Sequence, residues 1–312
     1  MKITGTFLDE ISHDIPHQNW GRAEWDADFS HMKAIGIDSV YLIRSGHKRW
    51  ITYPSQVLMK EQRAYQPPVD LVKMFLELAD KHRMSFYFGL YDSGVYWHQG
   101  DYQKEVDINL KVIDEVWKKY GHFKSFKGWY LSQEISRKVG KIIDLYATLG
   151  KHCKDISGNL PTFISPFIDG TKAVYTFDNI ESKPDSVTLD QHEKEWNEIF
   201  DGIKNVVDSV AFQDGHIEYD LLPGFFEVNK KLADKYGMKC WTNAETFDRD
   251  MPIRFLPIKF EKLRLKLEAA RQAGFDKAIT FEFSHFMSPQ SAYLQAGHLY
   301  DRYKEYMKTL KP

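Results

Sequence analysis

Cysteine is scarce: Cys153 and Cys240 are the only two in 312 residues. That excludes a disulfide framework, and their spacing offers no zinc-type pair. Long apolar runs are missing too. No window approaches the roughly eighteen consecutive apolar residues of a membrane-spanning helix. Neither sign of charge prevails, since 42 basic residues stand against 44 acidic ones for a formal net charge of −2. Such a balance gives no general attraction to nucleic acid or to an anionic membrane. The one short basic cluster, HKRW at 47–50 with Arg44 upstream, lies in a loop. The opening MKITGTFLDEIS lacks the apolar stretch and small-residue cleavage site of a secretory leader. The expectation is a cytoplasmic protein if Met1 is the native start, and a secreted or periplasmic one if a leader has been removed. Neither GxGxxG nor GxxxxGKS/T occurs, which argues against a nucleotide-binding doubly wound sheet. No GxSxG occurs either, and Cys240 falls inside a strand pattern, so serine or cysteine nucleophile chemistry has little support.

Aromatic residues, by contrast, are abundant: eight Trp, seventeen Tyr and twenty-one Phe. Most suit bulky barrel packing, and some suit a cleft in which rings stack on sugars. Eight apolar or alternating runs read as strands: Ile3–Leu8, Ser39–Ile43, Ser85–Tyr91, Gly128–Ser132, Thr162–Pro166, Ser209–Gln213, Lys239–Asn243 and Ala278–Phe283. Helical spacing fills most gaps, over Glu24–Ile35, Pro68–Met84, Glu105–Tyr120, Leu189–Val207, Phe225–Tyr236 and Ile258–Ala273. Three helix–glycine–strand junctions, AIGIDSV, KYGMKCW and QAGFDKA, look alike and suggest one supersecondary unit used repeatedly. Eightfold strand–helix alternation predicts an α/β fold, with residues 1–312 forming a single (β/α)8 TIM barrel. Extended βα loops are expected after strands 2, 3 and 5. They carry Trp50, Tyr53 and Tyr65; Tyr96, Trp97 and His98; and Tyr175 and Phe177.

In such a barrel the C-terminal strand ends converge on one cleft. Read in order they supply Asp9 and Glu10, Arg44, Tyr91 and Asp92, Gln133 and Glu134, Ser165 and Asp169, Gln213 and Asp214, Asn243 and Glu245, and Glu282 with His285. Carboxylates and amides dominate and lysines are nearly absent, which gives Schiff-base chemistry little support. Glu134 in GWYLSQE and Glu245 in WTNAE, 111 positions apart, stand on strands that face each other obliquely. Glycoside hydrolysis needs two such carboxyl groups, about 5 to 5.5 Å apart in retaining enzymes and about 6.5 to 9.5 Å apart in inverting ones. Asn243 would project the same way as Glu245 from an extended strand. Glu282, in TFEFSHF, must be paired or face the cleft, because burying it alone costs several kcal/mol. Arg44 could pair with one of these acids and lower its pKa. His13, His17, His98 and His216 read as ordinary loop histidines.

This layout resembles that of the clan A glycoside hydrolases. The chain from GTFLDE through WDADFSHMKAIGIDSVYLI to GWYLSQEIS also resembles, over nearly its full length, an uncharacterised bacterial family of glycoside-hydrolase-like barrels. The resemblance implies that Glu134 is the acid/base and Glu245 the nucleophile, or the base if the gap is wide. It departs from the clan at Gln133, where Asn is usual, and after strand 8, where Glu282, Ser284 and His285 replace the usual aromatic platform. On this reading Glu134 is kept protonated by an apolar wall of Trp129 or Tyr130. Gln133, Asn243 and Gln213 orient hydroxyls, and Asp214, Arg44, Asp92, Glu282 and His285 complete the substrate site. Trp50, Trp97 and Trp241 offer stacking faces. The substrate is a carbohydrate, with no cofactor, metal, nucleic acid or membrane partner expected. Two alternatives stand beside it: a metal-dependent sugar isomerase or epimerase using Glu134, Asp214, Glu245 and His285 as ligands, and a non-catalytic carbohydrate-binding barrel.

Overall fold

The protein is described here by a computed structural model, which covers residues 1–12, 15–170, 172, 186–249 and 255–310. The β-branched and aromatic runs form strands β1 (Ile3–Leu8), β2 (Ser39–Leu42), β3 (Ser85–Gly89), β4 (Phe126–Tyr130), β5 (Thr162–Ile164), β6 (Ser209–Gln213), β7 (Lys239–Asn243) and β8 (Lys277–Thr280). Each is parallel to the next. β1 pairs with both β2 and β8, through Thr6 with Val40 on one side and Thr280 on the other, so the sheet closes into a barrel. The expected bounds hold for β1, β6 and β7. β4 begins two residues earlier than expected, and β8 ends three residues sooner.

Helices α1 (Arg22–Ala34), α2 (Leu71–His82), α3 (Tyr102–Tyr120), α4 (Ile142–Ile156), α5 (Leu189–Ile203), α6 (Leu222–Lys235), α7 (Phe260–Gln272) and α8 (Leu294–Thr309) alternate with the strands. Asp70, Asp101 and Thr188 cap α2, α3 and α5 by accepting a backbone N–H at the third helical residue. The three look-alike junctions share a cause. Gly36, Gly237 and Gly274 follow α1, α6 and α7 at φ of +87°, +70° and +78°, where a side chain would be strained.

Two apolar layers result. One lies between barrel and helices and holds Trp25, Phe75, Trp129 and Trp196. The other fills the barrel with one side chain from every strand: Phe7, Tyr41, Tyr87, Tyr130, Phe163, Ala211, Trp241 and Ile279. Ile43 and Phe281 sit one inward step above Tyr41 and Ile279 and complete this cluster. Above them the loops add small elements. The hairpin Gly46–His47 with Trp50–Ile51 also pairs in parallel with Tyr91–Asp92. A second hairpin, Phe247–Asp248 with Leu256–Pro257, follows β7. The connection after β5 is long, and Tyr175 and Phe177 within it lie outside the described residues, as does His13.

Candidate active site

Alternation along each strand decides which polar residues reach the mouth. Tyr130, Ser132 and Glu134 share a phase, as do Trp241, Asn243 and Glu245, so the last of each triplet lies farthest up the barrel. Above the aromatic filling lies a cavity of about 300 Å³ with Ile43 and Phe281 in its wall. Its polar lining includes Arg44, His47, Asp92, Glu134, Gln213, Glu245 and Arg249. Trp97, His98, Ser12 and Phe247 close the sides.

Glu134 has about a quarter of its side chain exposed, at 26%. Tyr130 Oη donates to its Oε1 at 2.8 Å, and Arg44 Nη2 lies 3.7 Å from its Oε2. Burial raises the Glu134 pKa, and the opposing pull of Arg44 and Tyr130 only partly cancels that rise. Arg44 turns its other nitrogen, Nη1, toward Asp92 Oδ2 at 3.6 Å. Asp92 also accepts from Gly94 N at 2.8 Å and from Trp97 Nε1 at 3.0 Å, and His47 Nδ1 lies 3.7 Å from its Oδ2. Burial alone would raise this carboxyl, yet His47, Arg44 and these donors hold it at about 2. Asp92 is therefore ionised, and its charge partly offsets that of Arg44 and adds to the upward push on the Glu134 pKa.

Glu245 has the opposite environment. Arg249 forks onto it, Nε to Oε2 and Nη2 to Oε1, both at 2.8 Å. The guanidinium rests on the rings of Phe247 at 4.8 Å and Phe255 at 5.7 Å. Burial pushes the Glu245 pKa up, but the Arg249 charge and hydrogen bonds, helped by Lys266, leave it below the ordinary carboxylate value. Gly215 makes room for this group: a Cβ there would sit 1.6 Å from Glu245 Oε2.

Several expected site residues lie elsewhere, for reasons of phase. Gln133 is one step out of register with Glu134 and points between β4 and α3. There it donates to Tyr91 O and Glu105 Oε1, both at 3.0 Å. Asp214, out of phase with Gln213, faces α7 and pairs with Lys266 at 2.8 Å while accepting from Glu245 N at 3.1 Å. Buried among these groups, Lys266 also donates to Glu245 O, so a lysine does stand behind the strand ends. Asn243 is in phase but one layer down, bonded to Ser165 Oγ at 3.1 Å. Trp241 is a further layer down, 5.7 Å from Phe163 in the barrel filling, and offers no stacking face. Trp129 points outward and donates to Ser157 Oγ. Of the two rings offered as a wall, Tyr130 alone contacts Glu134, and it does so through its hydroxyl.

Glu282 caps the short helix Phe283–Phe286, accepting from Ser284 N and His285 N. His285 Nδ1 meets Glu282 Oε1 at 2.5 Å and its Nε2 meets Pro16 O at 2.6 Å, so both ring nitrogens act as donors. Burial would lower the His285 pKa, but Glu282 outweighs it and lifts it to about 9. Glu282 and His285 thus form a buried ion pair that braces the first loop, and neither lines the cavity. Trp50 is 62% exposed and sits at a tilt beside Tyr65, and neither ring lines the cavity. The four residues offered as metal ligands do not converge, because Asp214 is held by Lys266 and His285 by Glu282. Among the described residues no three His, Cys, Asp or Glu side chains are placed to hold a metal ion.

His47 and Arg249 are site residues that sequence reasoning missed. Arg249 had a signal, since it follows Glu245 by four positions in ETFDR. His47 had one too, three positions after Arg44 in the loop after β2, whereas Lys266 had none, because a helix brings it in from a distance. His98 lines the cavity although it reads as an ordinary loop histidine.

The closed parallel barrel with its cavity above the strand ends is a (β/α)8 barrel, and solved structures share that fold. An intracellular xylanase from Thermoanaerobacterium saccharolyticum aligns at TM-score 0.51 and 12% identity, over 89% of this chain and 84% of that one. A β-glucosidase from Thermotoga maritima bound to castanospermine aligns at TM-score 0.58 and 10% identity, over 93% and 88%. At those identities the likeness concerns the fold. Residues 3–293 match the family described as "Domain of unknown function (DUF4434)", and the chain belongs to that family. A crystal structure named as a "putative alpha-L-fucosidase" from Bacteroides thetaiotaomicron is 68% identical, with TM-score 0.94 over 99% of this chain and 94% of that one. No curated protein gives a significant sequence match.

Proposed function

We propose that the protein is a glycoside hydrolase that removes a single sugar bound in the cavity above the barrel. Glu134 donates a proton to the glycosidic oxygen. Glu245, ionised, attacks the anomeric carbon as its bond to the protonated glycosidic oxygen breaks, and water then releases the sugar from Glu245, or Glu245 instead activates a water that displaces the leaving group directly. One observation carries this reading: two glutamates border the same small cavity, and their surroundings push one pKa up and the other down. Arg44, His47 and Gln213 supply hydrogen-bonding groups for sugar hydroxyls. The name of the 68%-identical relative makes an α-L-fucoside the first substrate to try.

The experiment is turnover of 4-nitrophenyl α-L-fucoside, β-D-glucoside and β-D-xyloside by the wild type, Glu134→Gln and Glu245→Gln. Loss of proton transfer typically costs about 10²- to 10⁴-fold in rate, and each variant is expected to lose activity on that order. A wild type that cleaves a glycoside and variants that cleave it equally well would overturn the assignment.

A further inference from the structure

The cavity holds about 300 Å³, the low end for a ligand site and room for one sugar ring. Whatever that sugar is attached to must lie outside. We infer that Trp50 and Tyr65 form an outer sugar-stacking subsite beside the cavity, so that the substrate is a terminal sugar carried on a longer glycan. This rests on the glycosidase reading and specifies its substrate class.

Four observations support it. Trp50 and Tyr65 are 62% and 45% exposed, with ring centroids 5.0 Å apart and planes at 52°. Trp50 is the register partner of His47 across the first hairpin, and His47 lines the cavity. Partners of this kind project from the same face with Cβ atoms about 4.5–5.5 Å apart, so Trp50 leaves the hairpin on the same face as the cavity-lining His47. Tyr65, which flanks the indole, is also held in place. Tyr65 N donates to Arg49 O at 2.8 Å, Arg49 Nε donates to Arg63 O at 2.7 Å, and the Arg49 guanidinium lies 4.2 Å over the Tyr65 ring. Finally, the hairpin is anchored by parallel pairing with Tyr91–Asp92, the segment that supplies the ion partner of Arg44. An exposed indole suits the apolar face of a pyranose, whose hydroxyls remain in water.

The test uses probe pairs that differ only in what the terminal sugar carries: α-L-fucosyl fluoride against 2′-fucosyllactose, and β-D-xylosyl fluoride against xylotetraose. Wild type, Trp50→Ala, Tyr65→Ala and Trp50→Phe are compared. For Trp50→Ala the ratio of kcat/KM on the oligosaccharide to that on the fluoride is expected to fall at least tenfold, mainly through KM, with Trp50→Phe recovering most of it. An unchanged ratio overturns the inference and leaves the glycosidase reading standing. If the wild type cleaves none of the four probes, the glycosidase reading fails for these sugars, and binding decides the subsite. Fluorescence titration of the wild type with 2′-fucosyllactose and xylotetraose should then show saturation that Trp50→Ala lacks, and identical titrations overturn the inference.

Discussion

Glu134 and Glu245 are chemically the same side chain, and their partners differentiate them. Burial raises the Glu134 pKa, and a tyrosine hydroxyl with a guanidinium shared with Asp92 only partly offsets it, whereas an undivided Arg249 fork holds the Glu245 pKa down. Activity that needs both forms gives a bell-shaped pH profile, falling on the acid side as Glu245 protonates and on the basic side as Glu134 ionises. Arg249→Gln removes the groups that lower the Glu245 pKa and leaves burial less opposed, so the acid limb of kcat/KM should move to higher pH. Tyr130→Phe removes a hydrogen bond that favours the Glu134 carboxylate, so the basic limb should also move to higher pH. Profiles measured on the best aryl glycoside check both, and limbs that coincide with those of the wild type contradict them. That both glutamates follow strand ends above the barrel was legible in GWYLSQE and WTNAE. Their partners were less so, because a protonation state depends on what packs around a carboxyl group.

The strand–helix units explain why so much of the secondary structure could be read and where reading stopped. Helices with a capping Asp or Thr, or with a glycine stop before a strand, announce themselves locally. Helix α4 does not: no side chain of Lys141 caps it, and Gly150 interrupts its interior. The hairpin after β7 was equally unannounced, since it arises from pairing between Phe247–Asp248 and Leu256–Pro257 across the intervening chain. Gly89 shows how closely the strands approach beneath the site. A Cβ there would meet Leu42 O at 2.1 Å, a backbone atom that cannot turn aside. Gly89→Ala should therefore destabilise the fold by about 1–3 kcal/mol, as overpacking does. Thermal unfolding should show a lowered Tm, and activity should fall with it because β2 delivers Arg44.

The closed barrel buries several ionisable groups whose native pKa values are shifted upward. Burial lifts Asp28, Glu10 and Glu105 to about 7, and Glu282 lifts His285 to about 9 against the opposing effect of burial. A raised native pKa means that the folded state binds more protons than the unfolded one. The stability these groups contribute is then full below their unfolded values, about 4 for the acids and 6.5 for histidine. For the acids it is lost as pH rises from about 4 to 7, and for His285 as it rises through about 9. The Tm should accordingly fall between pH 5 and pH 9. Asp28→Asn, whose amide can still meet Ser284 and Ser288, should flatten the pH 5 to 7 part of that fall. Differential scanning calorimetry across this range checks it, and a variant with the slope of the wild type would rule Asp28 out as a contributor.

The barrel itself was within reach of one-dimensional reading. Period-two strands, 3.6-period helices and glycine stops are local steric facts, and the strands alone recur eight times. The same periodicity also carried unused information, for it places Gln133 and Asp214 on the face opposite Glu134 and Gln213. What awaited the folded chain was depth and company. Trp241, Asn243 and Glu245 share one inward direction, yet one fills the barrel, one bonds Ser165 and one borders the cavity. Arg249, His47 and Lys266 reach the acids only through a loop, a hairpin and a helix. Inward direction follows from alternation, but height in the barrel and ion pairing follow from strand stagger and long-range packing, and those exist only once the ring has closed.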